Sequence, residues 1–135
     1  MNQKNRQVIE EFRANGGIVL ATPPRGPILI VHSKGARTGR ECVTPLMYMQ
    51  DGERYIIFAS MGGARRNPDW YHNLVANPRA SIEVGTETFA VIAAVTEGTE
   101  RAHLFARQAT AYPQFAYYQG KTKRSIPVIA LERVG

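Results

Sequence analysis

Apolar residues along this chain gather in short runs that are separated by turn residues. Residues 28–31 read Ile-Leu-Ile-Val, which predicts a strand buried on both faces. The pair Asp51-Gly52 lies between two longer apolar runs and is a strong hairpin signal. Together the runs predict six strands, at residues 28–31, 42–50, 53–60, 80–84, 88–95 and 126–131.

The N-terminal residues 2–14 have helical spacing instead. Val8, Ile9 and Phe12 share one face, and a glycine pair follows the segment. The stripe is narrow, and the opposite face carries mixed charge. We therefore expect a short amphipathic helix that packs on the domain, with weak contact to a membrane surface as the second interpretation.

Three other segments are predicted to be helical. One runs over 68–76, with Pro68 at its first position and Asn67 as its N-cap. Another runs over 99–112, and a shorter one carries Phe115 and neighbouring tyrosines. Six strands joined largely by hairpins, with few helices, argue against a Rossmann sheet. They predict a mainly β, α+β fold in which helices lie outside a small closed or partly closed barrel of about six antiparallel strands.

Length, charge and cysteine content indicate how many domains the chain forms and what kind of partner it binds. The chain has 135 residues, enough for one domain over 1–135. Seventeen Lys and Arg against eleven Asp and Glu give a formal net charge of +6, which favours an anionic partner. Cys42 is the single cysteine and cannot form an internal disulfide. Residues 2–14 lack the apolar core of a signal peptide, so we expect a cytoplasmic protein.

Two glycine- and arginine-rich loops are the first candidates for binding. The first spans 35–40, Gly-Ala-Arg-Thr-Gly-Arg, and the second spans 60–67 and leads into a predicted helix N-terminus. Such loops present backbone N–H groups and guanidinium groups to an anion. Each could equally be a flexible basic turn, although two at neighbouring strand ends strengthen the binding hypothesis.

Aromatic residues and the lack of acid–base motifs complete the residue-level view. Trp70, beside the second loop, is the aromatic residue most suited to stack on a planar ligand, whereas Tyr71 and Phe115 are expected in the core. The three histidines lack metal-ligand spacing, so we expect no metal site. Since no catalytic triad or carboxylate pair is visible, an enzyme of this sequence would rely on a bound cofactor.

Three stretches resemble the deazaflavin-dependent nitroreductase family, whose members use coenzyme F420 and adopt a split β-barrel. They are GARTGRECVTPL at 35–46, FASMGGARRNPDWYHNLVANP at 58–78, and AYPQFAYYQ with IPVIALE within 111–132. The pattern of Gly-Gly-Ala, Asn-Pro, Trp-Tyr, Asn-Leu and Ala-Asn-Pro within 62–78 is the most specific part. The resemblance covers nearly the whole chain beyond the N-terminal helix.

The resemblance implies a reductase that transfers a hydride from reduced F420 to an electron-poor acceptor such as a quinone, an activated enone or lactone, or a nitro compound. It implies that the cofactor phosphate is bound by Arg37, Thr38, Gly39 and Arg40, with Arg65 in support. The cofactor ring would contact Pro45, Leu46, Met47, Ala59, Ser60, Met61, Trp70 and Asn73. The acceptor would lie against Tyr112, Phe115 and Tyr118.

Ser60 and Tyr118 are then the polar groups nearest the reacting atoms. Ser60 or a backbone N–H would polarise the acceptor oxygen, and Tyr118 or bulk water would supply a proton. Positioning of donor and acceptor is expected to dominate over any single residue.

The sequence departs from the family pattern at Cys42, Met61 and Phe115. Members of the family commonly carry a basic residue where Cys42 stands and a lysine where Met61 stands. The nitroimidazole-reducing members carry a tyrosine where Phe115 stands. The change at Phe115 bears on nitro-drug activation more than on cofactor binding. FMN binding, a lipid or tetrapyrrole carrier role, and a nucleic-acid-binding barrel are the alternatives. The arginines cluster in two turns, so we expect no nucleic-acid partner. A homodimer stays open.

Overall fold

The computed structural model describes residues 2–22 and 26–134 of the chain; Met1, residues 23–25 and Gly135 lie outside the described residues. The described part contains four α-helices and six strands. In chain order they are α1 (Gln3–Ala14), β1 (Ile28–Lys34), β2 (Glu41–Asp51), β3 (Arg54–Phe58), α2 (Asp69–Ala76), β4 (Arg79–Val84), β5 (Glu87–Val95), α3 (Gly98–Ala111), α4 (Gln114–Lys121) and β6 (Val128–Arg133).

The six strands close into a barrel in the order β1-β2-β3-β6-β5-β4, and all six neighbouring pairs are antiparallel. The predicted fold class is therefore confirmed. The hairpin at Asp51-Gly52 is present too, with Asp51 opposite Arg54. Closure removes the free strand edges that an open sheet of this size would expose.

Strand β1 separates two apolar clusters, because successive side chains of a strand point to opposite faces. Leu29 and Val31 belong to a cluster inside the barrel, to which all six strands contribute. Ile28 and Ile30 belong to a second cluster outside the barrel, under α1, α3 and α4. The prediction that this strand is buried on both faces is confirmed: Leu29, Ile30 and Val31 are fully buried.

Three predicted boundaries are wrong, each for a physical reason. Strand β1 continues through polar residues to Lys34, because that end pairs with β2 at Glu41. Strand β3 ends at Phe58, two residues before Ser60, where the backbone turns away from the barrel. Strand β6 begins at Val128 and not at residue 126, since Pro127 lacks the N–H that a ladder requires.

Helix α1 is docked by both apolar and polar contacts. Val8, Ile9 and Phe12 are buried in the outer cluster, as predicted. The Glu11 carboxylate accepts hydrogen bonds from the backbone N–H groups of Leu20, Ala21 and Thr22 at 2.7, 2.8 and 3.0 Å, which lowers the pKa of Glu11. None of the described helices is long and apolar enough to cross a membrane.

An ion pair joins the end of α1 to the barrel wall. Arg13 donates from Nε and Nη2 to the two carboxylate oxygens of Glu83 on β4, at 3.2 and 2.7 Å. The Glu83 Oε2 atom also lies 2.6 Å from His32 Nε2. Hydrogen bonding from Arg13, partly opposed by desolvation, holds the pKa of Glu83 below its usual value of 4.5.

We expect Glu83→Gln to lower the free energy of unfolding by about 1 kcal/mol at pH 7, a modest value because the Arg13 side chain is half exposed. A carboxylate whose pKa is lowered by folding stabilises the protein above its unfolded pKa and loses that contribution as the pH falls through its folded value. The difference between wild type and variant should therefore shrink below about pH 4.5 in urea titrations.

The matched control is Glu87→Gln, which removes a carboxylate from a more exposed pair with Arg133. We expect a change below about 0.5 kcal/mol there. A Glu83 effect that stayed constant down to pH 3 would contradict the assignment of this pair as the contact that docks α1.

Candidate functional site

A cleft of about 470 Å³ opens between β2, the start of α2, α4 and the first turn of α1. We call it the apolar cleft, after the apolar residues that form most of its walls. Its described lining residues are Asn2, Lys4, Asn5, Thr44, Pro45, Leu46, Met47, Phe58, Ser60, Met61, Gly62, Pro68, Trp70, Gln114, Phe115 and Tyr118.

Aromatic packing holds α4 against the end of β3. The ring centroids of Phe58 and Phe115 lie 5.6 Å apart, and those of Phe115 and Tyr118 also lie 5.6 Å apart, both edge to face. Edge-to-face pairs at this spacing are favourable beyond the area they bury. Phe115 is buried, as predicted, and fixes Tyr118 at the cleft wall, where Tyr118 remains half-buried.

The turn after β3 has an unusual backbone. Met61 has φ of 46°, the one positive value among the described non-glycine residues, and Gly62 and Gly63 follow at 63° and 83°. A methionine in this region carries backbone strain, which native structures retain mainly where the surroundings enforce it. Met61 is itself nearly half exposed at the cleft mouth.

Gly63 explains how the turn reaches α4. A Cβ atom at this position would lie 2.7 Å from the Tyr118 carbonyl oxygen and 3.0 Å from Lys121 Cβ. Only a glycine allows this approach of the turn to the helix backbone. Ser60, at the start of the turn, and Tyr118 thereby reach the same cleft.

Arg124 holds the same turn, over residues 59–64, by hydrogen bonds to its backbone. Its guanidinium donates to the backbone oxygens of Ala59, Ser60 and Ala64 at 3.0, 2.8 and 2.9 Å, and to Asn67 Oδ1 at 2.7 Å. These bonds satisfy carbonyl groups that the strand ladder no longer pairs after Phe58. Partial burial lowers the pKa of Arg124, because burial disfavours the charged form.

This brace also corrects the predicted start of α2. Asn67 was expected to cap the helix, but its side-chain oxygen accepts from Arg124 instead. Pro68 occupies the N-cap position with extended backbone and makes no side-chain cap. Asp69 does lie in the first turn, as expected from the helix dipole.

A second cleft of about 590 Å³, which we call the basic cleft, adjoins the first. Its described lining residues are Gly35, Ala36, Arg37, Thr38, Cys42, Arg66, Asp69, His72 and Asn73. Cys42 lines the basic cleft and Thr44 lines the apolar cleft, two positions apart on β2. On α2, Asp69 lines the basic cleft and its neighbour Trp70 lines the apolar cleft. The two clefts therefore lie next to each other along β2 and the start of α2, and we refer to them together as the groove.

The loop over 35–40 is closed by its own hydrogen bonds and is not a loose turn. The Gly35 N–H donates to the Arg40 carbonyl at 2.8 Å, and the Gly39 N–H donates to the Gly35 carbonyl at 3.0 Å. Buried Asn73 accepts from the Ala36 N–H at 2.9 Å and donates to Ser33 Oγ at 3.3 Å. Among the described residues no group accepts from the backbone N–H of Arg37 or Thr38. Both are available to an anion.

Most residues that the sequence assigned to cofactor and acceptor do meet in this groove. The apolar cleft brings together Pro45, Leu46, Met47, Ser60, Met61, Trp70, Phe115 and Tyr118. The basic cleft brings together Arg37, Thr38 and Asn73. Trp70 lies at the cleft wall yet is only 7% exposed, with most of its ring in the interior cluster.

Other assigned residues lie outside both clefts. Ala59 is fully buried behind the Ser60 turn, and Arg40 and Arg65 are exposed without lining either cleft. Gly39 lines a shallow depression beside His32 and Lys34. Tyr112 packs against the outer cluster. Asn73, assigned to the ring, instead braces the loop at the basic end.

Sequence reasoning missed three contributors. Arg66 and not Arg65 is the second-loop arginine in the basic cleft, a choice that backbone direction decides. Arg124 carries no motif, and its partners are distant in sequence. The first turn of α1 lines the apolar cleft, although the stripe of α1 indicated packing only. No cluster of three or more potential metal ligands is found in the described part of the chain.

Comparisons with known proteins point to one family. The family model described as F420H(2)-dependent quinone reductase matches residues 4–133. An F420H(2)-dependent quinone reductase of Mycobacterium tuberculosis strain H37Rv is 39% identical over 123 residues, which cover 88% of this chain and 82% of that protein.

Solved structures agree with this similarity. A structure described as an F420-H2 dependent reductase is 38% identical, covers 78% of this chain and 94% of its own, and superposes with a TM-score of 0.72. A structure described as a domain-swapped dimer is 35% identical, covers 94% and 96% of the two chains, and gives a TM-score of 0.74.

The Ser60 turn offers a matched pair of substitutions. Gly62→Ala adds a Cβ in open space and should destabilise the fold by about 1 kcal/mol through its left-handed backbone. Gly63→Ala adds a clash with the α4 backbone and should destabilise the fold by about 2–4 kcal/mol. Urea unfolding measures both. Equal effects would show that α4 yields to the turn, against the fixed packing described above.

Proposed function

The chain belongs to the F420H(2)-dependent quinone reductase family, and from this membership we propose which of its residues hold the cofactor and the acceptor. The protein is an oxidoreductase that uses reduced coenzyme F420 to reduce an electron-poor organic acceptor, which confirms the prediction from the sequence. When bound, reduced F420 supplies a hydride from its deazaflavin ring. We assign the acceptor to the quinone class, in line with the names of the relatives.

The donor set of the groove fits this cofactor. A deazaflavin ring is flat and largely apolar, while the rest of the molecule carries a phosphate and a glutamate tail. We assign the ring to the apolar cleft, against Pro45, Leu46, Met47, Met61 and Trp70. Arg37 and the free N–H groups of Arg37 and Thr38 would bind the phosphate, with Arg66 in the same cleft. The adjacency of the apolar cleft and the basic cleft along β2 and α2 is the observation that carries this proposal.

Ser60 and Tyr118 are the polar side chains that we assign to the reacting end. The Ser60 hydroxyl would donate to the acceptor oxygen, on which negative charge develops. The Tyr118 hydroxyl would hold or deliver a proton at that oxygen, and solvent can replace it in this role. Phe58, Phe115 and buried Trp70 limit water around the ring. The turn held by Arg124 keeps Ser60 in place.

The alternative hypotheses are not favoured. FMN oxidoreductases and lipid or tetrapyrrole carriers would use the same barrel, but relatives near 39% identity are named for F420H(2). A nucleic-acid-binding barrel would need basic residues along a strand face. Here the two arginines that line the groove, Arg37 on the 35–40 loop and Arg66 before α2, both lie at its basic end. Homodimerisation and weak contact of α1 with a membrane surface remain proposals, as does a cytoplasmic location. One similar chain forms a domain-swapped dimer.

The first test is titration of the purified protein with F420, followed by the fluorescence of Trp70, the only tryptophan. FMN is titrated in parallel. Arg37→Gln should weaken F420 binding about five- to tenfold, because it removes a charged hydrogen-bond donor from the phosphate. Arg40→Gln in the same loop is the matched control. Since Arg40 does not line the basic cleft, its replacement should change the affinity less than about twofold.

Tighter binding of FMN than of F420 would move the protein to the flavin enzymes. Binding of neither cofactor would overturn the reductase assignment. A larger loss from Arg40→Gln than from Arg37→Gln would place the phosphate on the other side of the loop, beside Gly39 and His32.

Tyr118→Phe tests whether positioning dominates over proton delivery. We expect kcat for menadione to fall about two- to tenfold, less than a dedicated acid–base group contributes, with F420 affinity unchanged. Phe at this position keeps the ring packing against Phe115. Stopped-flow measurement of F420 oxidation separates the chemical step from product release. Loss of turnover by more than about a thousandfold, with cofactor binding intact, would make Tyr118 an essential acid.

A further inference from the structure

The first turn of α1 forms a wall of the apolar cleft, through Asn2, Lys4 and Asn5. The same cleft is lined by Ser60 and Tyr118, the residues assigned above to the reacting end. Residues on α1 are therefore placed to contact the acceptor, a role that neither the family match nor the sequence motifs give to this helix.

Lys4 is the one charged side chain among the described residues that line this cleft. The first turn of α1 contains no acid, and Lys4 makes no ion pair within the described part of the chain. Its positive charge is thus not neutralised by a neighbouring carboxylate. The remaining lining is apolar or neutral and polar, so Lys4 sets the sign of the charge at this wall.

The helix that carries Lys4 is held in place. Asn2 Oδ1 caps α1 by accepting from the Asn5 N–H at 2.7 Å. Further along the helix, the buried stripe, the Glu11 carboxylate and the Arg13–Glu83 pair attach α1 to the loop and the barrel. Lys4 is therefore presented to the cleft from a fixed backbone position, although its own side chain is exposed and free to move.

We propose that Lys4 is a specificity-determining residue, which makes the reductase prefer quinones that carry a negative charge over neutral quinones. This inference rests on the proposed function. Quinone reduction transfers a hydride, two electrons with one proton, to the quinone; the product is a hydroquinone anion that takes one further proton, while reduced F420 is oxidised. Lys4 attracts both an anionic acceptor and the charge that develops on a neutral one.

The test compares two naphthoquinones, menadione, which is neutral, and lawsone, whose hydroxyl group is ionised at neutral pH. For each, kcat/KM is measured with reduced F420. A binding constant is measured by calorimetry with the protein alone and with oxidised F420, where no reduction takes place. Comparing each variant with wild type as a ratio of the two quinones cancels their different intrinsic reactivity.

Lys4→Gln should lower the lawsone-to-menadione ratio about two- to fivefold, the size expected for one partly exposed charge pair. Lys4→Glu should lower it further, and added salt should reduce both effects. Arg6→Gln is the matched control. Arg6 lies on the same helix but lines a different groove, with Gln3, Gln7 and Glu10, so its replacement should leave the ratio unchanged.

An unchanged ratio in both Lys4 variants, with F420 binding intact, would overturn this inference and leave the proposed function standing. Equal losses from Lys4→Gln and Arg6→Gln would also overturn it, since they would reflect net charge and not position. Failure of F420 to bind the wild-type protein would overturn the proposed function instead. The calorimetric ratio for the protein alone would then still test charge selection by Lys4.

Discussion

Strands β1, β2, β3 and β6 must bury apolar residues on both of their faces, and the rest of the structure follows from that constraint. Their inward side chains fill the closed barrel, and their outward side chains need a second cover. Helices α1, α3 and α4 supply it. Strands β4 and β5 have no such cover and show more exposed outward positions, among them Ile92. The apolar cleft opens between α1, α4, β2 and the start of α2.

Backbone hydrogen bonding decides the shape of that groove. Where β3 leaves the ladder, Arg124 donates to the carbonyls of Ala59 and Ser60 from the segment before β6, and the Ser60 carbonyl also accepts from the Gly63 N–H. Arg124 is in turn linked to α4 through its own carbonyl, which accepts from Gln119 Nε2 at 2.7 Å. The Gln119 side chain also accepts from Arg101 on α3. Helices α3 and α4 and the segment before β6 are thus linked by hydrogen bonds to the strained turn that begins at Ser60.

The two ends of the groove differ in chemistry because different elements build them. Apolar residues of β2 and aromatic residues of α2 and α4 form one end, and the 35–40 loop with Arg66 forms the other. Asn73, which follows Trp70 on α2, lines the basic end and fixes the loop at Ala36. In the assignment proposed above, the flat apolar ring of coenzyme F420 would occupy one end and its anionic tail the other.

Local pattern was sufficient for the elements of this protein and for much of its site. The six apolar runs, the Asp51-Gly52 hairpin and the stripe of α1 correspond to strands, turn and helix, because alternation and helical spacing follow from backbone geometry alone. Within the 35–40 loop, Arg37 and Thr38 line the basic cleft, whereas Gly39 and Arg40 do not. The wrong helix cap at Asn67 has a different cause, which is a partner distant in sequence: the Asn67 side chain accepts a hydrogen bond from Arg124.

The sequence by itself therefore determined the fold class, the family and the two loops of the groove. The tertiary structure decided that Arg66 faces the groove while Arg40 and Arg65 do not, that Arg124 holds the Ser60 turn, and that Lys4 stands at the cleft wall. The physical reason is that local pattern reports which face of an element is buried. Only the packing of elements fixes which side chains from distant segments share one cavity.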